Sequence, residues 1–134
     1  MIAIIDYGMG NLHSVSNALN KLNIEHCITN NKEEMKKADG LILPGVGAFG
    51  DAMEKLRGFG LEDVIKEVIS KNTPFLGICL GLQLLFERSE ESPGISGLGI
   101  LKGEILRIPE QAEMKIPHMG WNSLAYPQKG RLFE

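Results

Sequence analysis

The sequence predicts an α/β fold with a doubly wound, mostly parallel sheet. Short, continuous apolar runs suit strands that are buried on both faces, and segments of helical period separate these runs. Glycine or proline follows the ends of several runs, as expected of short strand-to-helix connections. We expect one domain over residues 1–134, with functional groups at the carboxyl ends of the strands.

The predicted elements alternate along the chain. Strands are predicted where apolar and β-branched residues run together, at residues 2–5, 24–29, 40–43 and 74–78. Helices are predicted where apolar residues recur at three- and four-residue spacing or where charges cluster, at residues 12–22 behind an Asn11 cap, 32–37, 51–57, 61–71 and 80–87. Beyond residue 89 the pattern loosens, and we predict only short β-like runs at residues 103–108 and 121–126.

Composition and charge exclude several classes of protein. The net charge of −3, without a basic block, argues against nucleic acid as a partner. The longest apolar stretch, residues 75–86, is shorter than the ~20 residues that span a bilayer, so no membrane segment is expected. The N-terminal apolar run has no basic flank and meets Asp6 at once, which argues against a signal peptide and makes the cytoplasm the expected compartment.

The sequence gives no sign of a metal or a cofactor. No group of histidine, cysteine and acidic residues has metal-ligand spacing. The glycine-rich turn at residues 8–10 lacks the third glycine of a dinucleotide fingerprint, because His13 occupies that position. Cys27 and Cys79 lie far apart in unlike surroundings, so no disulfide is expected. We interpret His13 and His26 as solvated or packed residues rather than catalytic ones.

Residues 77–81 read Gly-Ile-Cys-Leu-Gly and have the form of a nucleophile elbow, with Cys79 at its centre. A strand that turns sharply into a helix leaves little room for a Cβ two residues before or after the central position, and glycine stands at both. Cys79 would then project at the start of a helix, whose free amides favour an anion. A thiol also needs a basic neighbour, usually an imidazole, to act as a nucleophile. A buried core cysteine is the other interpretation.

Two further segments are candidates for the site. Residues 44–47, Pro-Gly-Val-Gly, follow another predicted strand and could aim backbone amides at an oxyanion, although such turns also serve packing or phosphate binding. Residues 115–121 bring together His118, Met119 and the single tryptophan, Trp121. Tryptophan and methionine are found both at interfaces and in cores, so this segment fits either role.

Four segments carry a resemblance to a known family: residues 4–11 (Ile-Ile-Asp-Tyr-Gly-Met-Gly-Asn), 43–50 (Leu-Pro-Gly-Val-Gly-Ala-Phe-Gly), 77–83 (Gly-Ile-Cys-Leu-Gly-Leu-Gln) and 117–122 (Pro-His-Met-Gly-Trp-Asn). Together they resemble the class I glutamine amidotransferases. The first and last segments resemble, in particular, the glutaminase subunits of imidazole glycerol phosphate synthase. The resemblance covers nearly the whole chain and implies the flavodoxin-like fold of these glutaminases.

The resemblance implies a catalytic cysteine and no cofactor. Cys79 would attack the side-chain amide of glutamine, giving a glutamyl thioester and ammonia, and water would then release glutamate. Backbone amides of the Val46–Gly47 turn and of Leu80 would form the oxyanion hole. Gly47, Leu80 and Gln83 match the family's glutamine-binding positions.

The resemblance also implies a partner. Ammonia would pass to a (βα)8-barrel cyclase subunit that makes imidazole glycerol phosphate and AICAR in histidine biosynthesis. Asn11 and the turn formed by His118, Met119, Gly120 and Trp121 match surfaces that face this partner. Glutamine hydrolysis in the family is weak until the partner binds its nucleotide substrate.

One departure from the family pattern concerns the catalytic base. The family completes its cysteine with a histidine and a glutamate in a Phe-His-Pro-Glu-like motif near the C-terminus, and this chain stops at Glu134 without one. His118 belongs to a different motif. We therefore expect a domain incomplete at its C-terminus, nearly inactive alone, with an unpaired sheet edge and exposed apolar surface. Two other interpretations are a scaffold without chemistry, and a paralogue supplying a different synthase, for instance a sugar-modifying one.

Overall fold

The computed structural model describes residues 1–110, 115–117, 119–125, 127 and 130. In chain order its elements are β1 Ile2–Ile5, α1 Leu12–Lys21, β2 His26–Thr29, α2 Lys32–Lys37, β3 Gly40–Gly45, α3 Phe49–Gly58, α4 Glu62–Ser70, β4 Phe75–Cys79, α5 Leu80–Gln83, β5 Arg88–Ser89 and β6 Glu104–Ile105. Strands β1 to β4 form a parallel sheet in the order β2-β1-β3-β4, and β5 pairs with β6 separately. The predicted α/β fold is confirmed.

The strands are apolar throughout because the sheet packs against helices on both faces. On one face, Ala3, Ile5 and Leu43 join the larger core with α2, α3 and α4. On the other, Ile4 and Ile42 pack against α1. The pleat sends alternate residues of a strand to opposite faces, so the central strands β1 and β3 contribute to both cores.

Helix α5 is shorter than predicted. The sequence predicts a helix over residues 80–87, but α5 ends at Gln83. The amides of Leu85 and Phe86 donate to carbonyls three residues back, and Glu87 N–H, which a longer helix would pair with Gln83 O, donates instead to Gly103 O at 3.1 Å. A single helical turn also has a smaller dipole than the predicted two turns, so it favours an anion at Cys79 less strongly.

Two apolar regions of the described chain lie open. Strand β4 pairs only with β3 among the described strands, and Leu76 and Ile78 of its outer face are 51% and 37% exposed. The second region is the β-like run predicted at residues 121–126, which forms no strand at 121–125, the part of it that the structure describes, and whose Trp121 and Leu124 are exposed. No helix in the described ranges is long and apolar enough to cross a membrane.

Candidate active site

Cys79 stands at the junction between β4 and α5, with an unusual backbone conformation. It ends the strand, caps the helix and has φ 55° and ψ −119°. This conformation is rare for a residue with a Cβ and costs about 1–3 kcal/mol. The residue is exposed and its thiol is free. The prediction that the cysteine projects from a sharp strand-to-helix turn is confirmed by this geometry.

The glycines on either side of Cys79 are required by close backbone contacts. A Cβ placed on Gly77 would lie 2.6 Å from Leu82 Cα and 2.8 Å from Gly81 O. A Cβ on Gly81 would overlap the carbonyl oxygen of Leu43 in the neighbouring strand β3. The crowding predicted within the elbow is therefore present at Gly77, whereas at Gly81 the obstacle is the adjacent strand.

The end of β3 packs directly against the elbow. Gly45 is the register partner of Cys79, and a Cβ on Gly45 would lie 2.6 Å from Gly81 N. The buried hydroxyl of Tyr7 donates to Pro44 O at 2.9 Å and so fixes the carboxyl end of β3. Burial raises the pKa of Tyr7 to about 12, so the hydroxyl stays a donor above the pH at which a tyrosine ordinarily ionises.

The predicted oxyanion turn follows immediately. Val46 is 53% exposed and Gly47 has φ 97°, so the turn leaves the sheet at the same edge as Cys79. Leu80 is buried and is the first residue of α5, so its backbone amide has no partner within the helix. The sheet thus brings the 46–47 turn, Cys79 and Leu80 to one edge.

A cavity of about 550 Å³ opens at the C-terminal residue of α5, Gln83, and its lining includes neither Cys79 nor the 46–47 turn. Its volume lies in the range typical of small-molecule pockets. Its lining comprises the predicted glutamine-binding residue Gln83, two acidic residues, one basic residue, a serine and two apolar residues: Gln83, Ser89, Glu90, Glu91, Ile105, Leu106 and Arg107. The sequence did not predict the two acidic residues as part of a site, because they lie in a stretch without helical or strand periodicity.

Of the two histidines that the structure describes, one is hydrogen-bonded within the fold and the other is exposed to solvent. His26 begins β2 at the amino edge of the sheet, opposite to Cys79. Its ring nitrogens pair with Ser16 Oγ at 2.7 Å and with Ile24 O at 2.9 Å. His13 is exposed on α1. His118 lies outside the described residues.

The predicted partner-facing residues are exposed where the structure describes them. Asn11 follows the loop after β1, and its Oδ1 caps α1 by accepting from Ser14 N–H at 3.1 Å. That loop touches the end of β3, because a Cβ on Gly10 would lie 3.1 Å from Pro44 Cβ. The side chains of Met119 and Trp121 are almost entirely open to solvent, and Gly120 is exposed.

Comparison with known proteins places this geometry in a family. The family model of glutamine amidotransferase class-I matches residues 3–134. Several relatives are named "Imidazole glycerol phosphate synthase subunit HisH". The one from Bacillus cereus (strain G9842) is 60% identical to this chain, and the alignment covers 92% of this chain and 58% of the relative. Those of Geobacillus sp. (strain WCH70) and Bacillus subtilis (strain 168) match at 51% and 49%, covering 100% and 98% of this chain and 65% and 64% of the relatives.

This chain therefore spans about 58–65% of the length of these relatives. A solved structure described as "Crystal structure of glutamine amidotransferase" has the same fold, with a TM-score of 0.68 and 24% sequence identity. The alignment covers 80% of this chain and 57% of that one. The chain belongs to the class-I glutamine amidotransferase family.

Proposed function

We propose that the chain carries the nucleophile of a glutaminase that supplies ammonia for imidazole glycerol phosphate synthesis. Cys79 Sγ attacks the side-chain amide carbon of glutamine, the carbon–nitrogen bond breaks, and ammonia leaves with the proton given up by the thiol. Water then cleaves the thioester to release glutamate and restore the thiol. The observation that carries this proposal is the exposed Cys79, held with positive φ among glycine backbones.

Transition-state charge in this reaction develops on the amide oxygen. Backbone N–H groups of the Val46–Gly47 turn and of Leu80 are the proposed donors, because both segments reach the same edge of the sheet as Cys79. Gln83 and the adjoining cavity are the proposed site for the rest of the glutamine molecule. These assignments also follow the family positions that the residues match.

A cysteine of this kind needs a base, and we propose that the 134 residues alone turn over little glutamine. The ring of His26 is engaged at the opposite edge of the sheet, and His13 faces solvent on α1. The sequence contains no Phe-His-Pro-Glu-like segment. Without a base to take and return the proton, acylation and thioester hydrolysis are both slow.

The proposed partner is a (βα)8-barrel cyclase subunit in histidine biosynthesis. The relatives are named as subunits of imidazole glycerol phosphate synthase, and a subunit requires a second chain. We propose that the exposed Asn11 and the turn of His118, Met119, Gly120 and Trp121 face this partner. Ammonia released at Cys79 would then pass across that contact.

Covalent labelling tests the nucleophile. A diazoketone analogue of L-glutamine is expected to label Cys79 at least about tenfold faster than Cys27, because Cys79 is exposed and lies four residues before Gln83, which lines the cavity. Cys27 is half-buried, and burial, with the charge of Glu34 adding to it, raises the pKa of its thiol. Peptide mass spectrometry of timed samples gives both rates.

The D-enantiomer of the same diazoketone is the matched control, since it has equal chemical reactivity and the wrong shape for a glutamine site. Preferential labelling of Cys79 by both enantiomers would show an exposed thiol without recognition. Equal labelling of the two cysteines by the L-form, also in the presence of the cyclase, would contradict the glutaminase proposal and favour a binding-only role.

A further inference from the structure

Helix α3 lacks the usual cap at its N-terminus. It begins at Phe49, directly after the proposed oxyanion turn, and its cap residue is Ala48, which has no side-chain acceptor. The first amides of a helix have no partner within the helix and need one elsewhere. By contrast, Asn11 and Asn31 cap α1 and α2 with their own side chains.

The missing acceptors come from a segment far along the chain. Phe49 N–H donates to Glu91 Oε2 at 2.9 Å, and Gly50 N–H donates to Ser92 Oγ at 2.9 Å, each across 42 residues. Both bonds are partly buried, so water replaces them poorly. Residues 89–96, which we call the clamp, therefore supply the cap of α3.

The clamp is also held outside α3, because Glu90 N–H donates to Ile105 O of β6 at 2.9 Å. Ser89 is buried, its Oγ accepts from Glu91 N–H at 3.2 Å, and its carbonyl accepts from Ser92 N–H at 3.2 Å. At the far end, Arg57 Nη2 donates to Ser96 O at 2.8 Å and lies 3.0 Å from Ser96 Oγ. The clamp thus holds α3 near both of its ends.

The chain that leaves the clamp returns to the elbow. Leu98 N–H donates to the carbonyl of Leu84, the residue that caps α5 at its C-terminal end. A Cβ on Gly97 would lie 3.0 Å from the Phe49 ring and 3.1 Å from Leu84 O. A continuous path of hydrogen bonds and close packing therefore joins the start of α3 to the helix that follows Cys79.

We propose that the clamp sets the position of the Val46–Gly47 turn relative to Cys79, with Ser92 and Glu91 as positioning residues. The turn has only Ala48 between it and α3, so a shift of the helix start moves the amides that would hold the oxyanion. Small displacements of such donors reduce transition-state stabilisation more than substrate binding. This inference rests on the proposed function. The part of it that concerns structure alone, that the clamp holds the 46–47 turn in place, can be measured separately.

Ser92→Ala is the test variant, because Ser92 does not line the cavity, whereas Glu91 does. We expect the saturated rate of Cys79 labelling by the L-diazoketone to fall about fivefold, as expected for the loss of one partly buried hydrogen bond. The half-saturating concentration and the rate with iodoacetamide should stay within twofold of wild type, about the scatter expected of a neutral surface change.

Three further variants complete the experiment. Ser92→Thr keeps the hydroxyl acceptor and should restore the rate. Ser70→Ala removes an exposed serine of α4 and should change nothing. Gly50→Ala disturbs the clamp from the other side, since a Cβ there would lie 2.8 Å from Ile95 Cδ1 and 2.9 Å from Ser92 Oγ. It should slow labelling although alanine usually favours a helix.

Amide hydrogen exchange measures how firmly the clamp holds the turn and the start of α3, and it requires no reaction at Cys79. In Ser92→Ala we expect faster exchange at residues 49 and 50 and also at 46 and 47. Unchanged exchange at residues 46 and 47, or a wild-type saturated labelling rate in both Ser92→Ala and Gly50→Ala, overturns the proposal. If the wild-type chain shows no preference for the L-diazoketone, the proposed function fails, and faster exchange at 46 and 47 still supports the clamp.

Discussion

The two edges of the parallel sheet use positive φ in different ways. At the amino edge, Asn23 and Asn72 have φ 54° and 61°. Each follows a helix and closes it: Ile24 N–H donates to Leu19 O at 2.9 Å, and the amide after Asn72 makes the equivalent bond. Asparagine tolerates this conformation, and a helix end needs it.

At the carboxyl edge, Cys79 has φ 55° but a ψ of −119°, a combination suited to glycine. Among the described residues, Asn23, Asn72 and Cys79 are the non-glycine residues with positive φ. Folding alone would be served better by glycine at position 79. The strain at Asn23 and Asn72 is thus explained by a helix end, whereas the strain at Cys79 is not, as expected if this side chain is held in place for chemistry.

The atoms that surround the glycines also differ between the two edges. Replacing these glycines by alanine is therefore expected to give the largest difference in the free energy of unfolding. Gly81→Ala should destabilise the chain by at least about 3 kcal/mol, because the new Cβ meets the backbone of Leu43, which cannot move without breaking the sheet. Gly40→Ala, at the amino edge, should cost about 1 kcal/mol or less, since the new Cβ meets the flexible end of Ile2 at 3.0 Å. Urea denaturation measures both values.

Gly58→Ala is the control for the substitution itself. Nothing lies within 4 Å of the Cβ position at Gly58, the last residue of α3, so alanine there should be neutral or slightly stabilising. Equal losses for Gly81→Ala and Gly40→Ala would remove the distinction between the two edges.

The sequence predicted what depends on local pattern and missed what depends on distant partners. Strands and helices were predicted near their observed bounds because the apolar period is set by the sheet and its helices. The strained turn at Cys79 was predictable because glycine stands two residues away on either side, although the turn itself accounts for Gly77 and contact with β3 accounts for Gly81.

The early end of α5 had no local signal, because Glu87 N–H donates to Gly103 O, 16 residues away, rather than to Gln83 O within the helix. The cap of α3 was missed for the same reason: Glu91 and Ser92 lie 42 residues from the amides they hold. The chemical roles of Cys79 and its neighbours remain predictions until labelling tests them. Long-range hydrogen bonds thus account for the main structural differences from the sequence-based expectation.

The carboxyl end of β3 is held by the buried hydrogen bond from Tyr7 to Pro44 O. Tyr7→Phe should lower the free energy of unfolding by about 2 kcal/mol, because Pro44 O is left without its buried donor. Ser16→Ala, which removes a partner of the His26 ring at the amino edge, should cost less, about 1 kcal/mol or below, because that site is only partly buried. Equal losses would mean that the carboxyl edge is no more rigid than the amino edge.

Tyr7 also predicts a pH dependence. Its pKa is raised to about 12 in the folded chain, above the ~10 of an unfolded tyrosine. The folded state therefore holds the proton more tightly, so this contribution to stability is full below pH ~10 and is lost as pH rises toward 12. Denaturation of wild type and Tyr7→Phe across this window should show a steeper decline for wild type. Parallel curves would contradict the assignment.

The smallest expected effect tests the strain itself. Alanine is normally more favourable than glycine because glycine loses more backbone entropy on folding. At position 79 the order should reverse, with Cys79→Gly about 1 kcal/mol more stable than Cys79→Ala, since glycine relieves about 1–3 kcal/mol of strain and gives back about 0.5–1 in entropy. Thermal or urea unfolding of the two variants measures the difference, and neither variant retains the thiol.

The matched pair at the amino edge is Asn72→Gly and Asn72→Ala. There the conformation lies in the ordinary left-handed region, so the advantage of glycine over alanine should be smaller, about 0.5 kcal/mol. A larger advantage at position 79 than at position 72 would show that the elbow stores strain beyond what a helix end requires. An advantage no larger at 79 would make the two edges equivalent and remove the physical basis for reading Cys79 as a residue held in place for chemistry.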